Sequence, residues 1–329
     1  MPKIAVITGA GAGVGRATAE EFALQGYDVA LLSRDAARLE HAAEVLRGRG
    51  VRALPIPTDV ADAAAVEAAA TKVEEELGPI DVWVNVAMAT VFAPVSKLTP
   101  EEFERGTRVT YLGQVHGTMS ALKRMRERNR GTIVNVGSAL GYRSVPLQSI
   151  YCGAKFAIRG FTDSLRSEII HDKLNVHLTM VDLPAVNLPQ FDWAMNKMGK
   201  KAKPVAPIYQ PEVPARAIFF AATHKRRQVW VGYPTVQAIL ANRIAPGLID
   251  KYLARRATRD NSATRHSART RLPIYSSPCP ETTGPTAGST GGRAVEAGDV
   301  HRPASHRVLG RGRHRLVAVL HQITKRLDI

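Results

Sequence analysis

Residues 4–25 constrain the architecture more than any other stretch. Ile4–Thr8 (IAVIT) is a short, mostly β-branched apolar run of the kind that fills a buried parallel strand. Gly9-Ala10-Gly11-Ala12-Gly13-Val14-Gly15 follows at once. Arg16–Gln25 then has helical spacing, with Ala17, Ala19, Phe22, Ala23 and Leu24 apolar. Glycines let the backbone turn tightly and approach a pyrophosphate, while free N–H groups and the helix dipole face the anion. A glycine-rich turn alone is more often only a turn. Its place after a first strand and before a helix makes nucleotide binding the better reading.

The alternation continues. Val29–Leu32, Val51–Ile56, Ile80–Val84, Thr132–Val136, Asn175–Val181 and Gln228–Val231 read as six further strands. Between them lie helical patterns at Asp35–Arg49, Asp62–Leu77, Thr99 to about Arg126, a long helix around Tyr151, and Pro211–His224. Thr99, Pro100 and Glu102 read as N-cap, N1 and N3 of a capping box. A last helix is expected over Pro234–Ala254, interrupted near Pro246-Gly247. This order predicts an α/β fold: a doubly wound, mainly parallel, Rossmann-like sheet of about seven strands with helices on both faces. Ligands of such sheets bind beyond the carboxyl ends of the strands. Gly9–Gly15, Arg34, Asp59, Asn85, Ser138 and Pro184 all follow strand ends, so they are expected to meet at one edge.

Three reactive groups stand close together in residues 130–171: Ser138 at a strand end, Tyr151 near a helix start, and Lys155 one turn on. Positions i and i+4 share a helix face, so the phenol and the ammonium can reach the same space. A nearby cation favours the phenolate, which is expected to lower the Tyr151 pKa from about 10 toward neutrality. A phenol tuned in this way exchanges protons near pH 7. Ile150, Ala154, Ala157, Ile158, Phe161, Leu165, Ile169 and Ile170 are expected on the helix's apolar side. Ser33-Arg34 closes the second strand, where an acidic residue would bind a ribose 2′-hydroxyl. Arg34 favours a 2′-phosphate instead, hence NADP(H) over NAD(H), with Arg16 positioned to assist.

Together these features resemble the short-chain dehydrogenase/reductase family over roughly residues 3–250. The resemblance is carried by Thr8-Gly9-x-x-x-Gly13-x-Gly15, Asp59-Val60, Asn85-x-Ala87, Ser138 and Tyr151-x-x-x-Lys155, in that order. It implies an NADP(H)-dependent oxidoreductase moving a hydride between nicotinamide and a carbonyl or alcohol carbon. It makes Tyr151 the general acid/base, Lys155 the group that holds the ribose and tunes Tyr151, and Ser138 the residue that positions the substrate oxygen. It places Gly9, Gly13, Val14, Gly15, Ser33, Arg34, Asp59, Val60, Asn85, Ala87, Tyr151, Lys155 and Pro184 against the cofactor, with Asp59 at the adenine. A homodimer or homotetramer through the helices bearing Thr110 and Tyr151 is also implied.

The chain departs from the family pattern at several points. Asn85-Val86-Ala87-Met88 replaces Asn-Asn-Ala-Gly, Pro184-Ala185 replaces Pro-Gly, and Leu188 stands where a Thr often touches the cofactor. Thr110 takes the place of the fourth catalytic residue, usually an Asn that holds a relay water. These departures leave room for an alternative reading, a catalytically weak nucleotide-sensing protein on the same fold.

Phe191, Trp193, Met195 and Met198 fall in an irregular segment that the resemblance makes a lid, and they suit a bulky apolar substrate. Lys197, Lys200, Lys201 and Lys203 read as a solvated loop. His116, His171, His177 and Cys152 read as structural. No His, Cys or carboxylate cluster has ligand spacing, so no metal is expected.

The formal charge is +16, and residues 254–329 contribute 14 Lys+Arg against 5 Asp+Glu. Helix-turn-helix, aromatic-platform and zinc-module signatures are missing, so no specific nucleic-acid partner is expected. Two distant cysteines and the lack of a leader pattern in residues 1–10 point to a reducing, cytoplasmic compartment. No apolar run reaches membrane-spanning length, so no transmembrane segment is expected. The chain divides into a dehydrogenase domain over 1–254 and a low-complexity basic tail over 255–329. Disorder is expected over about 257–312, and a short amphipathic helix over Arg315–Leu327.

Overall fold

Ile4–Thr8 forms β1, and all five of its residues are buried. The protein is represented by a computed structural model that describes residues 2–260 apart from 200, 201, 203 and 205. The first half then runs α1 (Gly13–Leu24), β2 (Asp28–Ser33), α2 (Ala36–Arg47), β3 (Ala53–Pro57), α3 (Ala63–Glu76), β4 (Val82–Asn85), β5 (Val91–Phe92) and α4 (Pro100–Thr107). A π-helical turn at Arg108–Leu112 leads into α5 (Gly113–Arg128) and β6 (Gly131–Ser138). The rest is α6 (Ser149–His171), β7 (Val176–Leu183), α7 (Gln190–Trp193), β8 (Met195–Asn196), α8 (Glu212–Thr223), β9 (Gln228–Trp230), α9 (Tyr233–Ile244) and α10 (Pro246–Asp260).

Seven strands form one sheet in the order β3-β2-β1-β4-β6-β7-β9, and every neighbouring pair is parallel. This is the expected doubly wound fold. Strand order reverses direction between β1 and β4, which opens the crevice where ligands of such sheets bind. One apolar core packs α1, α2 and α8 on one face, including Ala19, Phe22, Leu39 and Ile218. A second packs α3, α5 and α6 on the other, including Val66, Ala121, Leu165 and Ile169. Trp83, fully buried on β4, belongs to the second core.

Local sequence explains several boundaries. Thr99 and Glu102 form the predicted reciprocal cap, with Pro100 at the first helical position. Asp35 and Asp62 cap α2 and α3 by accepting from backbone N–H groups. The expected unbroken helix from Thr99 is divided by the π-helical turn that contains Thr110. The final helix breaks at Ala245 and resumes at Pro246, because proline supplies no N–H to continue the hydrogen-bond ladder. α10 then runs through 260, past the expected end at 254. Of the disorder expected over about 257–312, residues 257–260 are helical instead, and the rest lies outside the described residues, as does the helix expected over Arg315–Leu327. On α6, Ile150, Ala154, Ile158, Leu165 and Ile169 are buried, but Ile170 is exposed. It lies one helical step off the buried stripe.

The two-residue ladder between β5 and β8 has no counterpart in the sequence reading. Strands this short leave no periodic signal. The ladder ties the segment after β7 to the segment after β4, and Phe191 meets Phe92 with ring centroids 5.7 Å apart.

Candidate functional site

The turn from β1 into α1 is built by close approach. Gly9 and Gly13 have φ of +70° and +55°, a region side chains rarely enter. A Cβ on Gly15 would collide with the Gly9 carbonyl, so the helix can start beneath the turn only with glycine there. A Cβ on Gly9 would stand 2.9 Å from Ala87 Cα, and one on Gly13 would stand 2.8 Å from Leu188. Thr8, quoted in the motif but not assigned a role, fastens this edge. Its hydroxyl donates to the Val84 carbonyl at 3.3 Å and accepts from the Val86 and Ala87 N–H groups at 3.0 and 3.2 Å.

At the end of β2, Ser33 and Arg38 stand beside the turn, and Arg34 is exposed. A Cβ on Gly11 would lie 2.8 Å from Ser33 Oγ and 3.6 Å from Arg38 Cβ. Ser33 Oγ is buried with no hydrogen-bond partner among the described residues. Asp35, the nearby acid, caps α2 and pairs with Arg38 at 3.3 Å. Arg38 also stacks over Trp193, with its guanidinium carbon 4.5 Å from the ring centroid. The sequence reading missed Arg38, whose position inside a helix gives no local sign that it faces the glycine turn.

Asp59 sits half-buried at the end of β3 and accepts from the Ala61 N–H at 3.0 Å. It also forms an ion pair with Arg105 of α4. Burial opposes its ionisation, but the Ala61 N–H, Arg105 and the charge of Arg34 together hold its carboxyl below the ordinary range. Val60 is buried against α5, with its carbonyl 2.9 Å from His116 Nδ1. Val14 is buried, whereas Ala87 and Pro184 are half-buried at the strand ends.

Asn85, named among the cofactor residues for its place at a strand end, turns its side chain into the core. It accepts from Trp83 Nε1 at 2.8 Å and donates to Thr118 and Asn135 at 3.0 and 2.9 Å. Asn135 extends the network to Thr162 of α6 at 3.0 Å. The Asn85 amide thus clamps β4 and β6 to α5 and α6. Thr110 is buried in the π-helical turn, where its hydroxyl donates to the Ala89 carbonyl and accepts from the Ala89 N–H, each at 2.9 Å. It pins the segment after β4.

Ser138, Tyr151 and Lys155 do come together. Ser138 is buried at the end of β6, accepts from the Leu140 N–H at 3.1 Å, and hydrogen-bonds the Tyr151 phenol. Lys155, 2% exposed, has its Nζ 5.5 Å from the Tyr151 ring centroid. It donates to the Val136 carbonyl at 2.7 Å. The expected lowering of the Tyr151 pKa is corrected: burial pushes the phenol above its ordinary value and outweighs the Ser138 hydrogen bond. Burial also pushes the Lys155 ammonium down to about 7. A Tyr–Lys pair considered alone omits the water that both groups lose.

Lys197 is also corrected. Rather than standing in solvent, it pairs with Glu102 at 2.6 Å and donates to the Lys97 carbonyl at 2.9 Å. Lys200, Lys201 and Lys203 lie outside the described residues. Cys152 is buried and free, and burial pushes its thiol up. Among the described residues no group of His, Cys, Asp and Glu is placed to hold a metal, and no helix is long and apolar enough to cross a membrane.

A parallel doubly wound sheet, with a glycine turn at its switch point and Ser, Tyr and Lys at the same edge, is the layout of a nicotinamide-dinucleotide oxidoreductase. The family model for short chain dehydrogenase matches residues 3–196. An uncharacterized oxidoreductase YxnA of Bacillus subtilis (strain 168) is 30% identical over 280 residues, covering 84% of this chain and 79% of that one. A 2,3-dihydro-2,3-dihydroxybenzoate dehydrogenase of the same organism is 34% identical over 195 residues, covering 59% and 73%. Among solved structures, an alcohol dehydrogenase from Thermococcus sibiricus complexed with 5-hydroxy-NADP superposes with a TM-score of 0.61 at 27% identity. That match covers 70% of this chain and 96% of the other. The chain belongs to the short-chain dehydrogenase family.

The residues present fit the nicotinamide dinucleotide of that family. The bare glycine turn is a cradle that side chains would fill, and the unpartnered Ser33 hydroxyl stands beside that cradle with Arg38.

Proposed function

We propose that this protein is an NADP(H)-dependent oxidoreductase acting on a carbonyl or alcohol substrate, with Tyr151 as general acid/base. The supporting observation is the meeting of Ser138, Tyr151 and Lys155 at the edge that also carries the glycine cradle. The Gly9–Gly15 turn and Val14 would hold the pyrophosphate, and Ser33, Arg34 and Arg38 the 2′-phosphate. Asp59 and Val60 would border the adenine, with Ala87 and Pro184 nearer the nicotinamide. A bound dinucleotide supplies the hydride.

In reduction, Ser138 donates a hydrogen bond to the substrate oxygen and Tyr151 gives that oxygen its proton. The raised phenol pKa keeps Tyr151 protonated at neutral pH, the form a reductase needs. Lys155 holds the ribose and stabilises the phenolate left behind. Thr110 serves this site indirectly, by fixing the segment after β4. Phe191, Trp193 and Met195 support a bulky, apolar substrate under the lid. A groove along α4 and α5, lined by Pro100, Phe103, Thr107, Leu112 and His116, supports a homodimer or homotetramer.

The test is a fluorescence titration of the full chain with NADPH and NADH side by side, followed by a carbonyl-substrate screen with the preferred cofactor. Tight NADPH binding with much weaker NADH binding is expected. Tyr151→Phe should abolish turnover and keep NADPH affinity. Near-normal turnover in that variant would refute the role of Tyr151, and equal affinities would remove Arg34 and Arg38 from theirs.

A further inference from the structure

Asp182 is a fully buried carboxylate near the end of β7. Its register partner on β6 is Gly137, where a Cβ would collide with Asp182 Oδ1. The missing side chain of one strand makes the space that the carboxylate of the next one fills. Asp182 Oδ2 accepts from the Tyr142 hydroxyl at 3.3 Å and from Gln228 Nε2 at 2.5 Å. Oδ1 has no hydrogen-bond partner among the described residues. The other charges that bear on it come from α6: Lys155 and, one turn further, Arg159. Arg159 is already engaged, stacked over Tyr142 with its guanidinium carbon 4.2 Å from the ring centroid.

Lys155 is buried as well. A buried ammonium is costly unless a negative group offsets the hydration it has lost. The direct partner of Lys155 is a neutral carbonyl, that of Val136, whose peptide leads into Gly137, the register partner against which Asp182 Oδ1 rests. Asp182 is the acidic group that raises its proton affinity against burial.

We propose that Asp182 is a positioning residue of the active site, its carboxylate serving as the internal counter-charge that keeps Lys155 protonated beside Tyr151. The proposal rests on the reading of Lys155 as the cofactor-holding, Tyr-tuning group. The groups facing Asp182 are Lys155 and Arg159 from α6, Tyr142 from the segment after β6, and Gln228 from β9; Tyr151 also senses its charge. Burial pushes the Asp182 carboxyl up to about 6, so it is ionised at neutral pH, where Lys155 needs it. A purely structural Asp182, tying β7 to Tyr142 and β9, would need only its hydrogen bonds, which an amide largely keeps.

The experiment compares the full chain with Asp182→Asn and Tyr142→Phe. NADPH dissociation constants are measured from pH 6 to 9.5, and the Lys155 Cε resonance, assigned with Lys155→Met, is followed by NMR over the same range. In wild type, affinity should fall on the alkaline side as Lys155 loses its proton. In Asp182→Asn, both that fall and the Lys155 titration should move down by about one pH unit, so the variant already binds NADPH more weakly than wild type at about pH 6 to 7. Tyr142→Phe, which removes a hydrogen bond but no charge, should leave the Lys155 titration within a few tenths of a unit of wild type. If Asp182→Asn does not fold, Asp182→Ser replaces it; that variant also removes the charge and should shift Lys155 in the same direction.

Coincident Lys155 titrations in wild type and Asp182→Asn overturn the proposal. So does an equal downward shift in Tyr142→Phe. Failure of wild type to bind NADPH at any pH would overturn the cofactor reading instead, and the NMR titration would still decide whether Asp182 controls the Lys155 proton.

Discussion

Replacing Asp182 with Asn should stabilise the fold, and only on the alkaline side. The carboxyl is fully buried, and its pKa rises from 3.8 to about 6, with burial the largest cause. The unfolded chain releases this proton near the lower value, while the folded chain keeps it until the higher one. Between them the folded state binds more protons, so stability falls as pH rises through the interval and stays low above it. Each pH unit of displacement is worth about 1.4 kcal/mol, so the ionised carboxylate costs the fold about 3 kcal/mol at pH 8. Asn carries no charge, and its carbonyl can still accept from Tyr142 or Gln228. Lys155, with its pKa near 7, is mostly neutral by pH 8 and adds little to the difference there. Thermal melts followed by circular dichroism from pH 4 to pH 8 provide the assay. The two proteins should melt together near pH 4 and separate steadily, until the variant leads by several degrees at pH 8. A variant that is less stable at pH 8, or a gap that does not change with pH, would refute the reasoning.

Three further outcomes follow from named contacts. Gly137→Ala should cost about 2 kcal/mol in wild type and under about 1 kcal/mol in an Asp182→Ala background, since the intruding methyl meets the carboxylate itself. A double-mutant cycle by urea denaturation checks this, and strictly additive losses would contradict it. Glu67 accepts from Ser120, Lys123 and Arg124 across the α3–α5 contact. These donors, the Arg124 hydrogen bond foremost, hold its carboxyl down at about 2. Its side chain is 38% exposed, so solvent screening reduces the expected loss in Glu67→Gln to about 1 kcal/mol at pH 7. Its folded pKa is depressed, so this contribution is complete above about pH 4.5, and the difference between the proteins should close as pH falls toward 2. If Arg38 holds the 2′-phosphate as proposed, Arg38→Ala should weaken NADPH binding about tenfold and NADH binding little; equal losses in paired titrations would mean it serves only the lid, through Trp193.

The sheet was legible because its signals are local. Ile4–Thr8, the glycine turn and the Thr99 capping box each announce a backbone conformation from residues adjacent in sequence. Ser138, Tyr151 and Lys155 were legible as well, since a strand end and one helical turn set their spacing. What escaped is long-range. Asn85 reads identically whether its amide meets a cofactor or Thr118 and Asn135; only the packing of α5 and α6 decides. Arg38 lies on an ordinary helical stretch, and the course of the chain alone brings it to Gly11 and Trp193. Lys197 reads as one of a run of surface cations until Glu102 is found beside it, 95 residues away in sequence. Asp182 gives no warning at all. It occupies a mostly apolar, largely buried strand, and its neighbours Gly137, Tyr142, Lys155 and Gln228 come from four separate segments.

The sign of the Tyr151 pKa has a wider consequence. Pairing a phenol with an ammonium lowers the phenol only if the ammonium keeps its charge, and burial works against both. The protein therefore has to keep Lys155 charged before Lys155 can act on Tyr151. Ionised Asp182 meets that need at a cost of about 3 kcal/mol in stability at pH 8. Apolar residues at 155 and 182 would make a more stable fold with nothing to hold a proton, as expected where an active site trades stability for function. The two demands separate along the pH axis. Stability with respect to Asp182 is greatest at low pH, where its carboxyl is neutral, whereas a charged Asp182 facing a charged Lys155 exists only near neutrality. A protein whose melting temperature peaks on the acid side of its NADPH affinity would carry both signatures of that buried pair.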